Sequence, residues 1–449
     1  MKKHHGMRED LFNLIKDTNT ADHPSQHKFR SNFGRIWAAR ADQPFDEASL
    51  VALSETMKEA DHDPSTDSGV PIGFAIFGQF IDHDITLDAI TQLGQSVGNP
   101  QRIENFRTPK LDLDSVYLNG LEVNPYLYEE DVPKLLVGTD NNPLDVQRIQ
   151  RQGVPSTAII GDPRNDENII ISQMQSLFVR FHNYMIDLLG VDREDVFEEA
   201  QKICRWGYQW VIVNEFLPAI IAPDVLAPFI KGLHKKELPG PIKWSAAPSM
   251  PVEFSAAIYR FGHSMVRQDY QLNDYVQGNL FDFGSFEPVD PNNNVDWKYF
   301  LDLDGTSYLS AKSIDTKLAR DLFNLPFDQM NNNLAARNMI RGQLTYNLPT
   351  GEDIAGALGL KPIARHPSVE KMGLSETPLW FYALAEAEQH GGKLGPVGGC
   401  IVAGTLLQML LRDPDSYINA QPNFDPHQIL SLTKDKSIFA AMARFVSKG

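Results

Sequence analysis

Four residues able to carry charge or to move protons lie together in an otherwise apolar stretch of the chain. Residues 73–86 read GFAIFGQFIDHDIT and contain Gln79, Asp82, His83 and Asp84. A buried charge or imidazole is costly without a partner, so an apolar helix rarely carries this many. The helical period places Gln79 and His83 on one face, with the two carboxylates on either side. A lone histidine here would usually be a hydrogen-bonded core residue, but this density of polar groups predicts a base and an amide facing a polar ligand.

The run GQFIDHDIT, residues 78–86, resembles the distal-histidine signature of the animal-type haem peroxidases, the peroxidase–cyclooxygenase superfamily. The resemblance implies a haem b beside this helix. It also implies that His83 acts as acid and base above the haem, and that Gln79 hydrogen-bonds distal water. Asp82 would be one of two carboxylates able to form an ester bond with the haem.

Residues 161–190 predict a long helix that starts at Pro163 and ends at Gly190, because apolar residues recur along one face. Arg164 and Glu167 are three residues apart in its first turn, which by itself indicates an exposed capping pair. The segment also matches the family's Gly-Asp-x-Arg-x-x-Glu motif. That match implies that Arg164 is the distal arginine and Glu167 the second ester-forming carboxylate.

The segment EFSAAIYRFGHSMVRQDY, residues 253–270, places His263 between the small residues Gly262 and Ser264. On its own, this histidine would more often be a core residue than a metal ligand. The family's Ala-Ala-x-x-Arg-x-Gly-His pattern implies that His263 is the proximal iron ligand and that Arg260 pairs with a haem propionate. In the later segment LAARNMIRG, the resemblance implies that Asn338 accepts a hydrogen bond from the proximal imidazole, and that Arg341 supports the propionates.

Acidic residues alternate with leucines in KLDLDSVY, residues 110–117. Hard oxygen donors at alternating positions suit calcium, although an Asp-x-Asp pair is more often a surface turn. The resemblance implies a calcium site beside the distal histidine, in which Asp114 stands where animal members commonly have serine. Its implied ligands are Asp84, Thr108, the carbonyl of Lys110, Asp112 and Asp114.

The resemblance covers residues 70–415 with the motifs in the family's order, and the residues after Gly342 look more like those of bacterial members. We therefore predict an N-terminal arm over residues 1–30 and one animal-type haem peroxidase domain over residues 31–449. The predicted fold is mainly α-helical with few short strands, and the haem lies between distal and proximal helices. Two further helices are predicted within residues 377–415.

Bulk properties exclude several classes of partner and compartment. A net charge of −17 argues against nucleic acid or an anionic membrane as the partner. The sequence contains no run of roughly 18 apolar residues that would span a membrane, and no signal peptide is visible. We therefore expect a soluble protein, and the sequence leaves its cellular compartment and its oligomeric state open. Cys204 and Cys400 lie in apolar surroundings and are expected to be buried free thiols.

The resemblance implies a haem peroxidase that reduces hydrogen peroxide and, through a ferryl intermediate, oxidises a halide, thiocyanate or a small aromatic donor. Asn168 stands where the strongest chloride oxidiser of the family carries a haem-bonded methionine, so bromide, iodide, thiocyanate or phenols are favoured over chloride.

Three other functions stay open, with different weights. A fatty-acid dioxygenase of this superfamily needs a tyrosine three residues before the proximal histidine, but Arg260 stands there and Tyr259 precedes it. A one-residue step in an α-helix would turn the Tyr259 phenol by about 100° away from that direction. A haem-bearing adhesion or scaffold protein is disfavoured because the distal residues are all present. A metal-dependent hydrolase would leave His263 and Asn338 unexplained.

Overall fold

The structure is a computed structural model in which helices predominate, as predicted from the sequence. It describes residues 31–447, apart from 61–65, 89–90, 140, 152–153, 245–248, 285, 304, 306–307, 327–331 and 431–436. The predicted arm over residues 1–30 lies outside the described residues.

The helices, in chain order, have the following bounds: α1 Glu47–Glu55, α2 Gly73–Ile85, α3 Asp114–Tyr117, α4 Ile169–Leu189, α5 Val196–Val211, α6 Leu217–Ile220, α7 Pro223–Lys235, α8 Val252–Ser255, α9 Gly262–Met265, α10 Leu334–Ile340, α11 Gly351–Ala357, α12 Pro367–Lys371, α13 Leu379–Glu388, α14 Pro396–Arg412, α15 Tyr417–Ala420, α16 Pro426–Ile429 and α17 Ile438–Ser447. Two π-helical turns, Ile212–Phe216 and Arg341–Thr345, continue α5 and α10.

The strands are short and form small separate sheets: β1 Ser31–Gly34, β2 Asp67–Pro71, β3 Glu104–Asn105, β4 Arg148–Arg151, β5 Val154–Ala158, β6 Ser249–Pro251, β7 Asp269–Gln271, β8 Gln277–Asn279 and β9 Ser310–Lys312. β1 pairs antiparallel with β3, where Ser31 lies opposite Asn105, and parallel with β6, where Phe33 lies opposite Met250. The pairs β2–β9, β4–β5 and β7–β8 are antiparallel. These pairings join segments far apart in the chain around the helical core.

The helix α2 is held at both its start and its apolar face. The Gly73 amide donates to the Phe300 carbonyl over 2.8 Å, and a Cβ at Gly73 would lie 2.6 Å from that oxygen. Only glycine allows this close approach. Along the helix, the Phe80 ring stacks on Phe178 of α4 with centroids 4.8 Å apart. This packing fixes α2 against α4.

The helix α4 begins later than the sequence predicted. Pro163–Asp166 form a separate 3₁₀ turn, and α4 starts at Ile169 because the Asn168 side chain accepts a hydrogen bond from the Ile171 amide over 3.0 Å. Gly190 ends the helix with a φ of 95°, as glycine residues commonly do. The break matters because it turns the segment that carries Arg164 and Glu167 relative to the axis of α4.

The apolar side chains of α2, α4, α5, α13 and α14 belong to one continuous buried cluster. Cys204 is buried as predicted, Cys400 is half-buried, and both thiols are free. Among the helices that the structure describes, none combines the length and hydropathy that crossing a membrane requires.

Candidate active site

A cavity of about 400 Å³ lies between α2, the turn before α4, the segment around α9, and α10. Its volume falls within the range of small-molecule sites, roughly 300–1,000 Å³. All nine side chains that the sequence analysis assigned to a haem line it: Gln79, Asp82, His83, Arg164, Glu167, Arg260, His263, Asn338 and Arg341. These residues come from four separate stretches of the chain, so the fold itself brings them together.

The buried imidazole of His83 is held in one orientation and one tautomer. Its Nδ1 lies 2.7 Å from Asn165 Oδ1, and Asn165 Nδ2 donates to Gln175 Oε1 over 2.8 Å. Since the Asn165 oxygen can only accept, Nδ1 carries the proton and Nε2 is left as the basic nitrogen. Burial, and then the charge of Arg164, lower the pKa of His83 to about 4. His83 is therefore a neutral base.

The guanidinium of Arg164 is fixed by a buried carboxylate. Its Nε donates to Asp162 Oδ1 over 3.0 Å, and Nη2 donates to Asp162 Oδ2 and to the His83 carbonyl over 2.8 and 3.0 Å. Asp162 also pairs with Arg107 over 2.7 Å. Although burial acts to raise it, Arg107 and Arg164 together hold the pKa of Asp162 well below its usual range. Arg164 is thus a preoriented cation whose Nη1 takes no part in these bonds.

Two carboxylates flank the cavity on the same side as His83. Gln79 Nε2 donates to Glu167 Oε1, and Asp82 Oδ1 accepts a hydrogen bond from Thr86 Oγ1 over 2.9 Å. Burial raises the pKa of Glu167 to about 7 even though Arg164 opposes it. Glu167 is therefore poised between its neutral and ionised forms near neutral pH.

His263 faces the cavity from the opposite side and is also neutral. Burial, and then Arg260, lower the pKa of His263 to about 3, so the ring is an unprotonated imidazole of the kind that binds metals. Its Nδ1 lies 2.8 Å from Asn338 Nδ2. A metal on Nε2 would require a proton on Nδ1, and the Asn338 amide must then present its oxygen, which a half-turn of the amide achieves. Asn338 thus lies beside His263, and its role as hydrogen-bond acceptor stays a prediction because the amide presents its nitrogen.

Arginines surround the proximal histidine. Arg260 Nε donates to the Ser255 carbonyl over 3.1 Å, and Arg337 and Arg341 line the same cavity. Burial, and then Arg341, lower the pKa of Arg260 to about 9. A buried cation whose protonation is opposed by a neighbouring cation favours an anionic ligand beside it. The guanidinium groups of these arginines suit the propionates of a haem, and Arg337 adds one more guanidinium to those predicted.

Tyr259 also lines the cavity. Ile258–Phe261 form a 3₁₀ turn, in which a one-residue step turns a side chain by about 120°, so the difference in direction between positions 259 and 260 stays a prediction. The Tyr259 ring stacks on Phe254 with centroids 4.4 Å apart, and its buried hydroxyl finds no hydrogen-bond partner in the described part of the chain.

The carboxylates of the predicted calcium site lie beside α2. Asp84 is fully buried and accepts hydrogen bonds from the Leu113 and Ser115 amides over 3.1 and 3.0 Å. Burial, and then Asp114, raise the pKa of Asp84 to about 7, and the same two causes raise the pKa of Asp112. Such mutual repulsion is what a bound cation would relieve.

The other predicted calcium ligands have partners of their own. Thr108 Oγ1 donates to Asp112 Oδ1 over 2.8 Å, and Arg107 Nη1 donates to Asp114 Oδ2 over 3.1 Å. The Lys110 ammonium pairs with Asp413 over 2.8 Å. Within the described ranges, no three His, Cys, Asp or Glu side chains form a ready metal cluster. A calcium ion here would therefore need the Thr108 hydroxyl and a backbone carbonyl as well as carboxylates.

The sequence analysis missed several residues of this arrangement. Asp162 and Asn165 flank Arg164 in the chain, and their polar side chains within a recognised motif could have flagged them. Arg337 and Arg107 gave no signal in the sequence, since an isolated arginine is usually exposed.

Comparison with known proteins identifies the family of the chain. A family model described as animal haem peroxidase matches residues 91–345, which is more than half of the chain. The chain is 27% identical over 303 residues to chorion peroxidase of Drosophila melanogaster, and the alignment covers 61% of this chain and 37% of that relative. The chain thus spans little more than a third of that relative's length.

Solved structures share the fold. Peroxidase A from Dictyostelium discoideum superimposes with a TM-score of 0.69 at 17% identity, covering 94% of this chain and 95% of that one. A fatty acid alpha-dioxygenase from Oryza sativa superimposes with a TM-score of 0.58 at 16% identity, covering 93% and 79%. At these identities the likeness shows the fold alone, and the mainly α-helical prediction is confirmed.

Proposed function

The chain belongs to the animal haem peroxidase family, and on that premise we propose that it reduces hydrogen peroxide and oxidises a small electron donor. The observation that carries the proposal is the single cavity lined by two neutral histidines from opposite sides, with a fixed arginine beside one of them. Haem, when bound, supplies the redox chemistry that breaks the peroxide O–O bond.

The residues around the cavity divide the work of holding the haem and moving protons. His263 would hold the iron, with Asn338 orienting its ring. Arg260 and Arg341, supported by Arg337, would pair with the propionates. On the other side, His83 Nε2 would take a proton from one peroxide oxygen and return it to the other, which leaves as water.

Arg164 and Gln79 assist His83 on the distal side. The guanidinium, held by Asp162, stabilises negative charge on the departing oxygen without having to reorient. Gln79 is tied to Glu167 and hydrogen-bonds the water or peroxide that occupies the site. Both residues are proposed to act on the bound peroxide, so replacing either one should lower the rate of the reaction with peroxide and leave the haem content unchanged.

Stopped-flow absorbance of the haem-loaded protein with a slight excess of hydrogen peroxide tests this function. We expect a fast loss of Soret intensity that a bromide or phenol donor restores. In His83→Ala the rate should fall by about 10²–10⁴-fold with haem content unchanged. The control His234→Ala removes an exposed histidine of α7 and should react at the wild-type rate. A haem spectrum that peroxide leaves unchanged would refute the proposal.

The donor is proposed to be bromide, iodide, thiocyanate or a phenol rather than chloride. Asn168 lines the cavity while capping α4, so no methionine sulfur is available there to bond the haem. Steady-state rates of oxidation, measured with each donor at one pH, test this order of donor preference. A chloride rate above the bromide rate would contradict it.

We further propose ester bonds between the haem and Asp82 and Glu167, whose carboxylates both line the cavity. Acid–acetone extraction of peroxide-treated protein should then leave haem on the wild-type chain and release it from the Asp82→Asn, Glu167→Gln double variant. The control Asp88→Asn removes another carboxylate of the same cavity and should retain the haem. Full release from the wild type would disprove both bonds.

A second candidate is a haem-dependent fatty-acid dioxygenase, and one observation favours it. Tyr259 lines the cavity with a buried hydroxyl that has no partner among the described residues, and the solved dioxygenase shares the fold. Oxygen uptake with linoleate separates the two functions. We expect none, whereas uptake that is abolished in Tyr259→Phe would favour the dioxygenase.

A further inference from the structure

A second cleft, of about 730 Å³, lies against α4, and no described residue lines both this cleft and the haem cavity. Arg180 and Leu177 of α4 form one wall, Trp297 and Val295 another, and Val446 of α17 a third. The cleft therefore combines one arginine with apolar and aromatic residues, and amide and carboxylate side chains, among them Asn273, Asp274 and Asp296, also line it.

Arg180 is the unusual member of this cleft. Its guanidinium makes no hydrogen bond, ion pair or ring contact with any residue that the structure describes, and burial lowers the pKa of Arg180. An arginine taken partly out of water normally finds an anion, because an unpaired charge is costly to desolvate. Ser176, which also lines the cleft, has a buried hydroxyl with no partner among the described residues. The buried Ser176 hydroxyl is thus left without a partner among the described residues, one turn from the half-buried guanidinium of Arg180, which still reaches solvent.

The acidic residues of the cleft do not neutralise Arg180. Asp274 accepts hydrogen bonds from Lys298 Nζ over 2.7 Å and from the Tyr299 hydroxyl over 2.6 Å. Asp296 pairs with the same Lys298 over 3.0 Å. These carboxylates are directed to Lys298, and their presence at the cleft disfavours a ligand with two negative charges.

We propose that this cleft binds a small organic monocarboxylate, with the carboxylate paired to Arg180 and the apolar body packed between Leu177 and Trp297. A guanidinium matches a carboxylate through two parallel hydrogen bonds. The aromatic wall gains from an apolar body that inorganic anions lack. The site lies apart from the haem and goes beyond the proposed peroxidase reaction.

Isothermal titration of the haem-loaded full chain tests the proposal with four probes. Benzoate should bind with a stoichiometry of one. Acetate lacks the apolar body, benzamide lacks the charge, and phosphate lacks the body and carries excess charge, so each should bind at least about tenfold more weakly. Equal affinity for benzoate and benzamide would overturn the role of the cation, and absence of benzoate binding would overturn the site.

Substitutions in the cleft test whether benzoate binds at Arg180. Arg180→Gln should weaken benzoate at least about tenfold, and Arg180→Lys should weaken it less because the charge remains. The control Arg193→Gln removes an exposed arginine beyond the end of α4 and should bind as the wild type does. If Arg180→Gln fails to fold, Ser447→Trp blocks the cleft from its exposed edge and should abolish binding. Unchanged binding in the folded variants, or a Soret shift that follows the benzoate isotherm, would place benzoate elsewhere and overturn the proposal.

Discussion

At the scale of single residues, the two cavity histidines differ in what holds them. His83 is hydrogen-bonded through Nδ1 to Asn165, which leaves Nε2 basic. His263 lies beside the Asn338 amide, which can turn so that its oxygen accepts a hydrogen bond from Nδ1–H. Both imidazoles have lowered pKa values because they are buried near arginines. The same chemical group can thus serve as a base on one side and as a ligand on the other, because its neighbours differ.

His263→Ala should reduce haem content to background while His83→Ala retains it, because only His263 is proposed to bind the iron. The measurement is the ratio of Soret to protein absorbance after reconstitution with haem. His234→Ala provides the matched control, since it removes an exposed histidine. Wild-type haem content and spectrum in His263→Ala would remove this residue from the site.

At the scale of elements, buried carboxylates secure the ends of helices and loops. Glu386 of α13 accepts hydrogen bonds from the Val397 and Gly398 amides at the start of α14, over 2.9 and 3.2 Å. Asp84 of α2 holds the loop that carries Leu113 and Ser115. In both cases a single side chain links two elements, so its protonation or metal binding affects how they pack.

The stability contributed by Glu386 should depend on pH. Burial raises its pKa to about 7 from a usual 4.5, so the folded chain binds more protons than the unfolded chain between these values. The free energy of unfolding of the wild type, relative to Glu386→Gln, should therefore fall by about 1–3 kcal/mol as the pH rises from 4.5 to 7. Denaturant titrations of both proteins at a series of pH values measure this difference in the free energy of unfolding.

The exposed Glu370→Gln variant is the control for Glu386→Gln and should track the wild type across the same range. A difference between wild type and Glu386→Gln that does not change with pH would contradict the raised pKa.

Calcium is proposed to hold α2 to the Asp112 loop. Removal with a chelator should lower the melting temperature by several degrees, because a ligand bound at about a hundred times its dissociation constant stabilises by roughly 2.7 kcal/mol. Asp112→Ala should contain less calcium by elemental analysis and lose the response to chelator. Asp131→Ala, which removes an exposed loop carboxylate, should behave as the wild type. Unchanged calcium content in Asp112→Ala would exclude the site.

At the scale of the whole molecule, the first described strand already belongs to the core of the fold. β1 starts at Ser31 and pairs with β3 and with β6, which lies more than two hundred residues away in the chain. Just after it, the Ile36 and Trp37 amides donate to the buried Glu253 over 3.1 and 3.0 Å. These contacts join the first described strand to the rest of the fold, and we propose a domain boundary near residue 31.

A chain of residues 31–449 should therefore fold and load haem as the full chain does. Its melting temperature and haem content should match those of the full chain within error, since β1 keeps all of its pairings. A deletion that also removes β1, starting at residue 38, should lower the melting temperature, because Glu253 would lose its hydrogen bonds. Loss of haem binding on removal of residues 1–30 alone would contradict the boundary.

The sequence by itself determined the family, the mainly α-helical fold and nine of the residues that line the cavity. The helical period and the capping residues predicted helices from neighbouring residues alone. The family and the proposed haem-site residues came from the resemblance of the short motifs around His83, Arg164 and His263 to a known family, since Arg164 with Glu167 by itself indicated a capping pair and His263 a core residue.

Only the tertiary structure decided how those residues are held. Packing between distant segments decides three details: the pairing of Asp162 with both Arg107 and Arg164, the orientation of Tyr259, and the lack of a partner for Arg180 among the described residues. The start of α4 shows the same limit, since the sequence predicted a start at Pro163 whereas the helix begins at Ile169, after the Asn168 cap. Burial and long-range partners are set by the whole fold, and a motif carries no record of what lies across from it.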